Sequence, residues 1–81
     1  VTRADVIARI VSRVQFVTGA APGDLPLDKP LADMGVDSLD RAEIEMEIED
    51  EFGLAMATLD LKADCTIDSM AEAVMAAQPS T

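Results

Sequence analysis

Histidine, tryptophan and tyrosine are absent from these 81 residues, and Cys65 is the only cysteine. Without histidine the chain has no Ser-His-Asp or Cys-His relay. With no histidine and one cysteine it has no zinc site of the usual kinds, and no metal ligand set is assigned. A lone cysteine excludes an internal disulfide, which suits a reducing cytoplasm better than a disulfide-stapled secreted module. Basic residues are scarce: six Lys+Arg face sixteen Asp+Glu, a formal charge of −10. Holding phosphates takes clustered Lys and Arg, so nucleic acid and anionic lipid surfaces are poor partners. A basic protein surface is the natural complement. No apolar run approaches the roughly 18 residues of a membrane span, and no leader is expected.

What is present is aliphatic. Hydrophobic residues make up 49% of the chain, too many for a disordered acidic segment. Phe16 and Phe52 are the only aromatics, so the expected core is aliphatic and methionine-rich. The length suits one domain over residues 1–81, expected to be monomeric and thinly stable.

Val6, Ile7, Ile10, Val14 and Val17 recur at helical spacing and predict a helix over about 3–18. Thr2 and Asp5 resemble a capping box at its start, and Gly19 is the stop signal. Residues 19–36 hold three glycines and three prolines and read as a long ordered loop. Leu25, Leu27, Leu31, Met34 and Val36 are its expected pins, with one helical turn opened by Pro30.

A second helix is expected from Asp37 or Ser38 to about Glu51. Residues 43–49 alternate acid and apolar, the pattern of a strand, but Glu and Met favour helix. On a wheel, Leu39, Ala42 and Met46 form one stripe and Ile44, Ile48 and Phe52 another. A helix apolar on two sides is expected to be wedged between neighbours as the central element. Gly53 ends it, a short turn capped by Thr58 is expected over 58–63, and Thr66 caps a last helix ended by Pro79. Residues 79–81 are a frayed tail. The fold class is thus all-α: a small four-helix bundle with three main helices, one short helix and a long first loop.

Ser38 stands where the loop meets the most acidic helix, among unpaired N–H groups at the positive end of the helix dipole. Taken alone, Asp37-Ser38-Leu39 also describes a simple helix cap. A nucleophile elbow is excluded, because it needs Gly-x-Ser-x-Gly and a histidine. Asp24, Asp28 and Asp33 lack the spacing of a calcium-binding EF-hand loop.

The run Asp28-Lys29-Pro30-Leu31-Ala32-Asp33-Met34-Gly35-Val36-Asp37-Ser38-Leu39-Asp40 resembles the signature of acyl carrier proteins. So does its continuation from Glu43 through Glu49-Asp50-Glu51-Phe52-Gly53, and the likeness covers essentially the whole chain. It implies a carrier rather than an enzyme. A phosphopantetheinyl transferase would move 4'-phosphopantetheine from coenzyme A onto Ser38, framed by Gly35, Asp37 and Leu39. The arm would hold acyl intermediates as thioesters and present them to enzymes of fatty-acid, polyketide or specialised lipid synthesis. Acyl synthetases, ketosynthases and acyltransferases with basic docking patches are the implied partners.

Between residues 37 and 51, eight acids face Arg41 alone. The resemblance places docking at Asp40, Arg41, Glu43, Glu49 and Asp50. Arg41 departs from the most acidic relatives and would select a matching acid on a partner. An expandable acyl pocket is expected where Ile44, Ile48 and Phe52 face Met56, Leu59 and Leu61. Glu45, Pro30 and Ala57 depart from common fatty-acid carriers, Lys29-Pro30-Leu31 resembles polyketide carriers, and Asp37 speaks against peptidyl carriers. Cys65 reads as a small buried hydrophobe. The alternative is an acidic helical interaction module without covalent cargo.

Overall fold

Three amphipathic segments become helices for reasons visible at their ends. The computed structural model describes residues 2–54, 59, 62 and 64–77. Helix α1 spans Arg3–Thr18, α2 Ser38–Glu51 and α3 Ile67–Ala77. Two 3-10 turns, Pro22–Asp24 and Leu31–Met34, lie in the connection between α1 and α2. No strand occurs among the described residues. The molecule is all-helical, and the short helix expected over 58–63 lies mostly outside the described residues.

Each start is capped as its sequence prescribes. The Thr2 hydroxyl accepts the Asp5 N–H at 3.2 Å, and the Asp5 carboxylate accepts the Thr2 N–H at 3.3 Å. Those hydrogen bonds hold the Asp5 carboxyl below its ordinary range. At α3, Thr66 Oγ1 accepts the Ser69 N–H at 3.0 Å, and Ser69 Oγ accepts the Thr66 N–H at 2.8 Å. Gly19, at φ 74°, closes α1 by donating to Gln15 O at 2.7 Å. Helix α2 ends in a Schellman turn: Gly53 donates to Asp50 O at 3.3 Å and Leu54 to Glu49 O at 2.8 Å.

The core joins Val6, Ile10 and Val14 of α1, Ile44 and Ile48 of α2, and Ile67, Met70, Ala71 and Val74 of α3. Leu25, Leu31 and Val36 are the buried pins of the long connection; Met34 is half-buried and Leu27 exposed. Two backbone bonds tie that connection to the start of α3, from Leu31 N–H to Cys65 O at 2.8 Å and from Asp68 N–H to Leu27 O at 3.0 Å.

Three expectations are corrected. The central element is α1, which packs against both α2 and α3, whereas α2 and α3 make little direct contact. The stripe of Leu39, Ala42 and Met46 faces outward instead of meeting a second helix, so α2 is buried on one side only. Among the described methionines only Met70 is fully buried, so the core is built from β-branched and leucine side chains.

Candidate functional site

The path into α2 is fixed residue by residue. Gly35 adopts φ 84° and ends the 3-10 turn, donating its N–H to Leu31 O. An added Cβ there would meet nothing within 4 Å, so backbone conformation rather than space demands glycine. Val36 is fully buried and donates to Leu31 O at 3.2 Å. Its own carbonyl accepts from Arg41 Nη1 at 3.1 Å. The turn, the buried valine and the arginine together set where Asp37 emerges.

Asp37, not Ser38, is the N-cap: its Oδ1 accepts the Asp40 N–H at 2.8 Å. Ser38 is the first helical residue, and it is exposed. Its hydroxyl makes no hydrogen bond among the described residues, so it is left available to chemistry. The Ser38 and Leu39 N–H groups head a 14-residue helix with no helical carbonyl to receive them. A phosphate ester on this hydroxyl fits that positive end. Leu39, 69% exposed, stands beside it as an apolar contact open to solvent.

Apart from the half-buried Glu45, the acids of α2 and its cap divide into three groups. Glu47 and Glu51 pair with α1, Arg13 to Glu47 at 3.1 Å and Arg9 to Glu51 at 3.4 Å. Asp37, Asp40, Glu43 and Asp50 have no ion pair among the described residues, and all but the half-buried Asp40 are exposed. Glu49 is turned inward, 4% exposed, with Oε2 accepting the Leu59 N–H at 2.8 Å. That placement corrects its expected position on the docking surface. Arg41 lies half-buried, with Nη1 donating to the Val36 carbonyl.

Of the expected acyl-pocket residues, Ile44, Ile48 and Leu59 come together as closed core, with Phe52 half-buried against them. Met56 and Leu61 lie outside the described residues. A cleft of about 430 Å³ opens elsewhere, between Met46, Glu47, Glu49, Asp50 and Leu54. Cys65 is half-buried, and burial pushes its thiol pKa up. The inward carboxylate of Glu49 was missed in the sequence because its partner lies ten residues away on another segment.

Comparison with known proteins gives the family. The family described as the phosphopantetheine attachment site matches residues 8–74. The acyl carrier protein of Rhodococcus erythropolis is 34% identical over 61 residues, 74% of this chain and 67% of that protein. The meromycolate extension acyl carrier protein of Mycobacterium leprae is 34% identical over 62 residues, 75% of this chain and 54% of its own length. A non-reducing polyketide synthase of Aspergillus calidoustus is 36% identical over 52 residues, 64% of this chain but 2% of the synthase. The chain therefore spans about half of the meromycolate carrier and a small fraction of the synthase. No solved structure gives a significant match. The chain belongs to the acyl carrier family, whose members are carriers rather than enzymes and whose prosthetic group is 4'-phosphopantetheine.

Proposed function

We propose that Ser38 is the residue that receives phosphopantetheine from coenzyme A, through a phosphopantetheinyl transferase. The observation that carries this reading is the division of labour at the head of α2: Asp37 caps the helix and leaves the neighbouring hydroxyl exposed. When attached, the arm supplies a thiol that holds acyl groups as thioesters. The chain's own residues fix the hydroxyl at the first helical position, and the buried Val36 and its bond from Arg41 keep the preceding loop from collapsing over it. Tethering the cargo raises its effective concentration at each enzyme the carrier visits.

Docking falls to Asp37, Asp40, Glu43 and Asp50, set around exposed Leu39 and Met46. Rim charges of this kind speed encounter without prolonging residence, which suits a carrier that must let go. Basic patches on acyl synthetases, ketosynthases and acyltransferases are the matching surfaces. Fatty-acid and polyketide synthesis are both served by the relatives' named roles, and a cytoplasmic setting suits the lone reduced cysteine. Among the described residues no helix is long and apolar enough to cross a membrane.

Intact mass before and after incubation with coenzyme A and a broad-specificity transferase tests this. The parent gains the mass of one phosphopantetheine and Ser38→Ala gains none. A folded, unmodified parent that gains nothing would move the interaction-module reading to the front.

A further inference from the structure

Arginines of α1 and carboxylates of α2 meet in a ladder, Arg9 with Glu51 and then Arg13 with Glu47. Each rung lies one helical turn from the last, four residues forward on α1 and four back on α2. A third rung would set residue 17 against Glu43. There α1 carries Phe16 and Val17 in place of a cation, and Glu43 is exposed with no ion pair among the described residues. Phe16 is 87% exposed, the most exposed large hydrophobic side chain among the described residues, and Met46 across from it is 62% exposed. Between them a cleft of about 340 Å³ is lined by Arg13, Phe16, Val17, Glu43, Ile44 and Met46, together with Glu47. The missing rung and the exposed aromatic thus coincide.

We propose that this cleft is a docking site for a protein partner presenting an apolar side chain with a Lys or Arg about one helical turn away. The apolar group covers Phe16 and Met46, and the cation completes the third rung on Glu43. Charge selects this occupant. A second copy of the chain brings another −10. It has no cation to spare beside its own cleft, because Arg13 is already paired. An anionic lipid surface is repelled for the same reason. Fully desolvated aromatic anchors carry most of the energy of such contacts, and the flanking charge sets orientation. The site rests on the carrier reading, sharing Glu43 and Met46 with its docking surface and extending that surface onto α1 at Phe16, and it does not require Ser38 to be loaded.

The test uses the intact, unmodified chain and a short amphipathic helical peptide of leucine and lysine as the probe. A charge-matched peptide with serine in place of leucine is the control. Amide shifts on titration should centre on residues 13–17 and 43–47, and the serine peptide should bind far more weakly. Phe16→Ala and Glu43→Gln each weaken binding by about tenfold, the effect of truncating an interface anchor, with helicity unchanged. Both changes lie at exposed positions, so the fold should survive them. Parent-like affinity of Phe16→Ala, or shifts confined to residues 37–40 and Asp50, would overturn the proposal. A concentration-dependent dimer abolished by Phe16→Ala would overturn it in favour of a second copy. Loading of Ser38, followed by mass on Phe16→Ala, which lies outside the acids assigned to docking, is expected to proceed, so a failure here is separable from a failure of the carrier reading.

Discussion

At the head of α2 two adjacent polar residues have separate tasks. Asp37 satisfies the Asp40 N–H, and Ser38, relieved of capping, points its exposed hydroxyl to solvent. Cys65 shows the opposite arrangement, a reactive group kept quiet. Burial is the largest cause raising its thiol pKa above the ordinary 9.0, outweighing the lowering effect of Arg41. A thiol with a raised folded pKa stays protonated where the unfolded thiol ionises, so its contribution to stability is lost as pH rises beyond 9.0. Alkylation of Cys65 by iodoacetamide at neutral pH should therefore be slower in the folded protein than in the urea-unfolded chain. Equal rates would show that burial does not protect the thiol. Asp5 has the reverse sign: its lowered pKa favours the fold above the ordinary 3.8 and that benefit fades on acidification.

At the scale of elements, both ends of α1 and the start of α3 were legible because capping is local chemistry, while Pro79, the expected end of α3, lies outside the described residues. Thr2 with Asp5, and Gly19 at the exit, announced α1 in full, and Pro30 announced the turn at Leu31–Met34. Helix α2 was legible as a helix but not in its orientation. Both of its stripes are apolar, and it is tertiary packing that takes Ile44 and Ile48 inward and leaves Leu39 and Met46 exposed. The inward turn of Glu49 was equally hidden, since it depends on a Leu59 N–H brought up by tertiary packing. Glu49→Ala leaves that N–H buried without its acceptor and should cost about 1–3 kcal/mol in urea unfolding. Glu49→Gln keeps an acceptor oxygen and should cost less. Equal, negligible losses in both variants would contradict a latch between α2 and residue 59.

Over the whole molecule, charge has two consequences of opposite sign. The excess of ten acids repels itself, while the three arginines of α1 are engaged with Asp68, Glu51 and Glu47. Those exposed pairs are each worth roughly 0–1 kcal/mol and do not offset the general repulsion. Raising salt from low to moderate ionic strength should therefore raise the melting temperature by screening. The same screening should slow transfer of phosphopantetheine to the chain, because encounter is steered by Asp40, Glu43 and their neighbours. A transfer rate unchanged by salt would count against electrostatic docking even if the melting temperature rose. The family was legible from one run of residues around Ser38, because the acidic helix and the turn before it are contiguous in sequence. The outward stripe was not, for burial is a property of the assembled bundle.

Fragmentation mass spectrometry on the chain after transferase treatment tests the central claim most directly, because it locates the modified residue. Phosphopantetheine found on Ser38 alone, with Ser12, Ser69, Ser80 and every threonine unmodified, is the predicted result. A fully folded chain carrying the group on any other residue, or carrying none, would contradict the assignment of Ser38 as the cargo site.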